Sequence, residues 1–294
     1  MLFQCIRSAI KDWKITCKGQ KGEYELLQIA HRLEKGLLIE NPRPMWGWGK
    51  AERSAELIRT VNDLFSLETG GSVLRAYLNT KENSMYEKDR EQLTWFMNKY
   101  LSELDKGKGG TICYKWNPLS VEDVNVVERL FNTRHSIRSF SDKDVSESLL
   151  LKAIGLALRC PSACNRQPFR VYVIDNSTKQ SIVKDDSIQG NKFLFVTGDI
   201  TAFNVGEFND WIVSPSIFVG YLTLSLHLYG IGSCVMRKDL VRDTSYNEAI
   251  KTTCGIPEEE KLIVELAIGN YKKDNVVPYS NRHDAKEITS FVRK

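Results

Sequence analysis

A cluster of basic and hydroxyl side chains stands near the middle of the chain, where residues 134–140 have the sequence RHSIRSF. Arg134 and Arg138 lie four residues apart, with His135 and Ser136 between them. A guanidinium group holds several N–H donors in one plane, so it can bind two oxygens of a phosphate, or a polarised carbonyl oxygen. The segment is therefore a candidate anion-binding site, although a solvated group of charges has the same composition.

Three later segments are suited to a flat heterocyclic ligand. The loop at 161–169, PSACNRQPF, contains amide side chains, which both donate and accept and so match a ring edge with alternating acceptors and N–H groups. Segment 230–234, GIGSC, has glycines that let the backbone approach a flat ring closely. Segment 269–271, GNY, follows an apolar run, and Arg282 stands in the next predicted loop.

The bulk composition is that of a soluble globular protein. The 294 residues are 42% hydrophobic and 27% charged, and the net charge of +4 is too small to suggest a nucleic-acid partner. Seven irregularly spaced cysteines favour reduced thiols in the cytoplasm, and no Cys or His pair beside Cys160 and Cys164 completes a metal site. The N-terminus lacks the apolar run of a signal peptide, and stretch 217–236 favours a buried helix over a membrane span.

Hydrophobic periodicity divides the chain into a helical part and a mixed part. Residues 1–105 are predicted to be helical, with helices near 23–38, 51–67 and 91–104. The glycine-rich sequence DKGKGG begins at Asp105, and we expect a linker over 106–123. The region 124–294 should alternate between helices and strands.

Elements of the second region follow from local signals. We expect a helix over 124–131, another after an N-cap at Ser146, and buried strands at 169–174, 193–197 and 262–268. Ser214 and Pro215 are in the order typical of an N-cap and a first helical position, which predicts a helix over 215–229. That helix is apolar on nearly every side, so it should be central to a core or to a dimer interface.

In their order and approximate spacing, the four segments resemble motifs of the nitroreductase family of FMN-dependent oxidoreductases, over about residues 124–294. RHSIRSF resembles the family's RxSxRxF, PSACNRQPF its PSxxNxQPW, GIGSC its GLGSC, and GNY the end of its last strand. The resemblance implies an α+β fold: a three-layer α/β/α sandwich around a mixed, mostly antiparallel sheet. An all-α N-terminal region would precede it here.

The resemblance also implies the roles of individual residues. Arg134, Ser136 and Arg282 would hold the FMN phosphate, and Arg138 would stabilise the negative charge of the reduced flavin. Asn165 would contact the pyrimidine edge, while Ser162 and Gln167 would support the loop or reach the ring. The implied cofactor-binding residues are Arg134, His135, Ser136, Arg138, Pro161, Ser162, Ala163, Asn165, Gln167, Gly232, Ser233 and Arg282. No side chain is an obvious proton donor, so no catalytic residue and no metal ligand are predicted.

The activity implied is ping-pong hydride transfer from NADH or NADPH, through flavin N5, to a nitroaromatic, quinone or enone. Family members are typically homodimers with FMN at the interface, and we expect a cytoplasmic dimer without nucleic-acid or membrane partners. Two other functions remain open: a specialised flavin enzyme of natural-product or surface-polysaccharide biosynthesis, and a flavin-free dimeric binding or scaffold protein.

Two departures from the family pattern bear on these expectations. Ser280 stands where many members have a second cation, which weakens the expected phosphate site and gives the scaffold hypothesis its support. The N-terminal helices are absent from the simplest members. Together with the loop that contains Trp46 and Trp48, they are hypothesised to act as a lid, whose deletion would change substrate range but spare FMN binding.

Overall fold

The computed structural model describes residues 2–43, 46–80, 87–102, 107–182, 188–207, 209–236 and 245–293. The predicted boundary between residues 105 and 106 lies outside these ranges, as do Pro44 and Met45 of the tryptophan loop. The helices are α1 (Leu2–Thr16), α2 (Gly22–Leu37), α3 (Trp48–Ile58), α4 (Leu64–Leu78), α5 (Glu87–Leu101), α6 (Val121–Thr133), α7 (Glu147–Ala157), α8 (Asn176–Ile182), α9 (Asp210–Leu228) and α10 (Ser245–Cys254). The strands are β1 (Phe169–Asp175), β2 (Lys192–Asp199), β3 (Ile231–Met236) and β4 (Glu260–Asn270).

The four strands form one sheet in the order β1-β2-β4-β3, and every pairing between them is antiparallel. A single parallel bridge, between Ser136 and Ser233, adds the RHSIRSF segment beside β3. Alternate residues of β2 face opposite sides of the sheet: Leu194 and Val196 belong to one apolar core, Phe193 and Phe195 to the other. Strand β2, one of the two inner strands, is therefore buried on both faces.

Helices cover both faces of this sheet and make the predicted three layers. Residues of α7 and α9 share one core with the sheet, including Ala153, Phe218 and Leu222. On the other face, Ile250 of α10 and Ile182 of α8 pack with Ile137 and Phe140. The α+β fold class, with its helical N-terminal region, is confirmed.

The tryptophan loop packs onto the core of the N-terminal helices, which is built from α2 to α5. A β-carbon at Gly36 would overlap the Trp46 ring, so the glycine makes room for the indole. Trp46 also meets the Tyr77 ring edge-on at 4.9 Å between centroids, and the Tyr77 hydroxyl donates to the Trp46 carbonyl at 2.6 Å. Trp48 is buried in the same core.

Several predicted elements differ from the observed ones. The expected helix at 51–67 is two helices, because α3 ends at Ile58 and Asp63 caps α4 by accepting from the Ser66 N–H at 2.8 Å. The helix expected near 91–104 begins earlier and is α5, Glu87–Leu101. The GIGSC segment, expected only to end a helix, continues from Gly230 into strand β3.

The prediction that α9 starts at Pro215 was wrong, since the helix begins at Asp210 and Pro215 lies inside it. A proline has no N–H to bond the carbonyl one turn earlier, which here belongs to Trp211. That carbonyl instead comes so close to Gly198 of β2 that a β-carbon there would overlap it. A glycine on the neighbouring strand thus accommodates the proline within the helix.

By length and hydropathy, α9 is also a candidate membrane span, with 39% of its most apolar window buried. Its buried residues, among them Phe218, Leu222 and Leu226, belong to the core between α7 and the sheet. It is a core helix in this fold. Four of its other apolar side chains, Val213, Ile217, Tyr221 and Leu228, are exposed.

Two further segments expose apolar side chains. None of the residues of α6 is buried, and Val121, Val124, Val127 and Phe131 all face solvent. The C-terminal stretch does the same with Tyr279, Ile288, Phe291 and Val292, each more than 70% exposed. Large apolar surfaces of this kind mark interaction sites in soluble proteins.

Candidate functional site

The RHSIRSF segment is positioned by α6 before it and by β3 beside it. Helix α6 begins with a capping box, in which Ser120 and Asp123 bond each other's backbone N–H groups, and it ends at Thr133. Arg134 is already extended, and the Ile137 N–H then donates to the Ser233 carbonyl at 2.9 Å. Because alternate residues of an extended chain face opposite ways, burial of Ile137 leaves Arg138 exposed.

An open cleft of about 1040 Å³ brings Arg134, His135 and Arg282 together. Ser280, which replaces the expected cation, lies on the same cleft, and none of the described residues that line it is a carboxylate. Among the described residues, Arg134 forms no ion pair, whereas Arg282 donates to the backbone carbonyls of Ser280 and Asn281. A cleft with two guanidinium groups and no opposing charge suits an anion.

His227 of α9 contacts Thr133, the residue before Arg134, and was not predicted as a candidate from the sequence. Its Nε2 is 2.9 Å from the Thr133 hydroxyl and its Nδ1 is 2.7 Å from the Tyr271 hydroxyl, so it links the end of α6 to the end of β4. Burial lowers the pKa of His227, and the charges of Arg134 and His135 lower it further. A neutral imidazole is therefore favoured beside the two arginines.

Arg138 lies on the β3 side of the segment, where its charge acts on Cys234. Burial raises the pKa of the Cys234 thiol, and the positive charge of Arg138 opposes that rise. Like Arg134, Arg138 forms no ion pair with a described residue, so its charge is available to a ligand.

The glycine of GIGSC allows close backbone contact as expected, but the contact is made within the protein. A β-carbon at Gly232 would lie 3.2 Å from the side chain of Ile137, and Ser136 and Ser233 pair as a bridge. Gly232 and Ser233 therefore seat the RHSIRSF segment against the sheet. The structure places Ser136, Gly232 and Ser233 together.

The 161–168 loop holds three non-glycine residues in left-handed backbone conformations: Cys164, Asn165 and Gln167, with φ of 50°, 52° and 48°. Asparagine tolerates this region, whereas the other two cost about 1 kcal/mol each. The Ser162 hydroxyl accepts from the Gln167 N–H at 3.1 Å, and the Gln167 amide donates to Asn165 Oδ1 at 3.2 Å. In this structure Ser162 and Gln167 thus support the loop.

Arg166 in the same loop was not among the predicted site residues, yet it is only 1% exposed. Its guanidinium bonds Glu207 through two nitrogens, at 2.9 and 2.6 Å. Arg166 holds the pKa of the Glu207 carboxyl below its usual range. The polar composition of the loop was visible in the sequence. The partner of Arg166, however, is Glu207, 41 residues away, and local spacing does not predict that contact.

The predicted site residues fall into two groups. Arg134, His135 and Arg282 line the cleft, with Ser136, Gly232 and Ser233 at the neighbouring bridge, and Arg138 is exposed in the same segment but does not line the cleft. The second group, Pro161, Ser162, Ala163, Asn165 and Gln167, belongs to the 161–168 loop, and none of its members lines the cleft. Within the described residues, no group of three or more His, Cys, Asp or Glu side chains could hold a metal ion.

Comparison with known proteins agrees with the motifs. Residues 132–193 match the model of the Nitroreductase family, and no curated protein matches the sequence significantly. Similar solved structures include a nitroreductase-like protein from Streptococcus mutans (20% identity, 58% of this chain and 100% of that chain, TM-score 0.49). Others are a nitroreductase family protein from Clostridium difficile 630 (22%, 56% and 98%, 0.47) and an FMN-dependent nitroreductase from Clostridium difficile R20291 (21%, 56% and 98%, 0.45). Residues 132–193 of the α+β region are thus similar to the nitroreductase family, in agreement with the motifs.

Proposed function

We propose that this protein is an FMN-dependent oxidoreductase that transfers hydride from NADH or NADPH to an electron-poor small molecule by a ping-pong mechanism. The observation that carries the proposal is the cleft where Arg134, His135 and Arg282 converge, with no carboxylate among its described lining residues. A cationic site of this kind suits a phosphate group, and the guanidinium of Arg134, which has no ion pair with a described residue, would provide it. The similarity of residues 132–193 to the Nitroreductase family supports flavin chemistry at this site.

The residues at the cleft fit the phosphate end of FMN. Arg134 and Arg282 would bind the phosphate oxygens, helped by the Ser136 hydroxyl and by Ser280, which can still donate a hydrogen bond where other members have a charge. His227 would keep Arg134 in place through Thr133, the residue before it. Loss of a cation at Ser280 weakens the site without removing it.

Bound FMN would supply the redox chemistry, accepting hydride at N5 and passing two electrons to a nitroaromatic, quinone or enone acceptor. Arg138, exposed and without an ion pair to any described residue, would stabilise negative charge on the reduced ring. Asn165 would contact the pyrimidine edge, and water would supply protons because no acidic side chain is among the described residues that line the cleft.

We further propose that the protein is a cytoplasmic homodimer. The exposed apolar side chains of α6, of α9 and of the C-terminal stretch are the surfaces that a second copy would cover. A dimer would also explain why the 161–168 loop lies off the cleft of its own chain, since each flavin could take residues from both copies. Residues 1–105 and 124–294 are proposed as helical and FMN-binding regions, joined by a linker at 106–123.

The test is the absorbance spectrum of the purified protein, with FMN added if the protein is colourless. Flavin bands that bleach anaerobically with NADH or NADPH are expected, and the nucleotide that bleaches them identifies the donor. Arg134→Ala should weaken FMN binding about tenfold or more, as loss of a charge-assisted contact does. Arg129→Ala makes the same charge change one turn earlier on α6, off the cleft, and should leave affinity unchanged. Failure to bind FMN in excess would refute the proposal and favour a scaffold role.

A further inference from the structure

The 161–168 loop keeps a backbone conformation that its own sequence disfavours. Cys164 and Gln167 have positive φ without being glycine, and such residues persist only where surrounding contacts hold them. Within the loop, the Gln167 N–H donates to the hydroxyl of Ser162, whose backbone is extended, and the side chains of Asn165 and Gln167 bond each other. Contacts from outside the loop add further restraint.

Arg166 is the side chain that reaches outside. Besides its two bonds to Glu207, it donates from Nη1 to the Ala202 carbonyl at 2.8 Å and from Nε to the Ala163 carbonyl at 3.0 Å. Its guanidinium also lies over the Phe203 ring, 4.4 Å from the centroid. The guanidinium of Arg166 thus links the first turn of the loop, at Ala163, to the segment after β2 that contains Ala202 and Glu207.

The N-terminal helical region holds the other side of the same segment. Gln20 donates to the Ala202 carbonyl at 2.8 Å, so that one oxygen accepts from both Gln20 and Arg166. Gln28 of α2 donates to Glu207 Oε1 at 3.3 Å, and the Lys21 N–H donates to the Thr201 carbonyl at 3.1 Å. Tyr24 and Leu27 of α2 pack with Ala202 and Phe203, and Ala163 packs against this cluster.

We propose that Arg166 is a positioning residue for flavin binding: its bonds to Glu207 and to the Ala202 carbonyl, braced by α2, hold the 161–168 loop in its FMN-binding shape. This inference rests on the proposed function and adds a role for the N-terminal region. That region acts on the cofactor loop, so its removal weakens FMN binding. The lid hypothesis drawn from the sequence expects FMN binding to survive.

The experiment uses the full chain with Arg166→Lys and Glu207→Gln. Lysine keeps the charge of Arg166 but cannot bond a carboxylate through two nitrogens in one plane. Glutamine keeps the shape of Glu207 but not its charge. FMN affinity, from quenching of flavin fluorescence, should fall about tenfold to a hundredfold in both, in line with the loss of charge-assisted hydrogen bonds. The control is Arg53→Lys, which alters a second forked pair, at 2.8 and 2.9 Å to Glu25, on the exposed surface of the helical region. It should bind FMN like the unsubstituted protein.

A second readout needs no flavin. Hydrogen exchange followed by mass spectrometry should be faster over 161–168 in Arg166→Lys and Glu207→Gln, while β2 remains protected. A general loss of stability would instead raise exchange in β2 as well. Should Arg166→Lys fail to fold, Glu207→Gln still decides, because its site is partly exposed.

The possible outcomes distinguish failure of this inference from failure of the proposed FMN-dependent function. If the unsubstituted protein binds FMN and both variants bind it within twofold, Arg166 does not position the loop and the inference is overturned. If no form binds FMN, the proposed function fails. In that case, unchanged hydrogen exchange over 161–168 in the variants overturns this inference too. Faster exchange there would show that Arg166 restrains the loop but has no role in flavin binding, which also overturns the inference.

Discussion

The buried ion pair between Lys179 and Glu265 gives a stability prediction whose size follows from its surroundings. Both side chains are fully buried, and Lys179 of α8 bonds directly to Glu265 of β4. The Tyr246 hydroxyl accepts from Lys179 at 2.7 Å and donates to Glu265 at 2.7 Å. The ammonium also lies 4.6 Å from the centre of the Phe193 ring. The pair ties α8 and α10 to the sheet.

Lys179→Met keeps most of the volume and leaves the Glu265 carboxylate buried without its cation. Breaking one side of a buried pair costs about 3–5 kcal/mol. Unfolding entropy of about 2.1 cal/mol/K per residue amounts to roughly 0.6 kcal/mol/K for this chain, so the melting temperature should fall by about 5–8 °C. Urea titration followed by circular dichroism measures the free energy, and a thermal scan measures the temperature.

Two further variants show whether the charge is the cause. Adding Glu265→Gln to Lys179→Met removes the unpaired charge and keeps an acceptor for Tyr246, so it should restore at least half of the lost stability. Lys192→Met is the matched surface change: Lys192 bonds both oxygens of Asp144, whose side chain is 67% exposed, so less than about 1 kcal/mol is expected. The reasoning is refuted if Lys179→Met costs no more than Lys192→Met, or if the double variant is as unstable as the single one.

Three other predictions concern packing and pH. Gly269→Ala should lower the free energy of unfolding, measured in urea, by about 1–3 kcal/mol, because the new β-carbon would overlap Asn191 and lie 2.6 Å from Phe140. Gly220→Ala, in open space on α9, should cause no such loss, and equal losses in the two variants would contradict the packing argument. Gly36→Ala should displace the Trp46 ring from its contact with α2 and red-shift the tryptophan emission. An unchanged spectrum would show that the position of the indole does not depend on Gly36. Since the folded state lowers the pKa of His227, the unfolded chain binds its proton first, and stability should fall as pH drops below about 6.5. His227→Gln should flatten that dependence in denaturation series between pH 5 and 8, and an equally steep curve would exclude His227 as its source.

Sequence patterns predicted the elements whose signal is local. The runs around Phe169, Phe193 and Leu262 are apolar and short, and each is a strand in the sheet. Strand β3 was missed because Gly230 and Gly232 indicate a turn, whereas pairing with β4 and with Ser136 determines the outcome. These are contacts between distant segments, which no local pattern contains.

The start of α9 is a second case in which a contact between distant segments overrides a local signal. A serine followed by proline is a sound local signal for a helix start, but Gly198 on β2 leaves room for the Trp211 carbonyl and lets the helix extend further. The candidate site divides likewise. Arg134 and Arg282 were predicted and share a cleft, while the links made by His227 and Arg166 depend on partners far along the chain.

The shared carbonyl of Ala202 limits how far this protein can be treated as modular. One oxygen accepts hydrogen bonds from Gln20, before α2, and from Arg166, in the 161–168 loop. A chimera that joined 124–294 to a different N-terminal region would lose the Gln20 side of this junction, even with the RHSIRSF segment and the 161–168 loop intact. Substitutions on either side of the junction should therefore be tolerated together more readily than singly, since each region forms part of the other's surroundings.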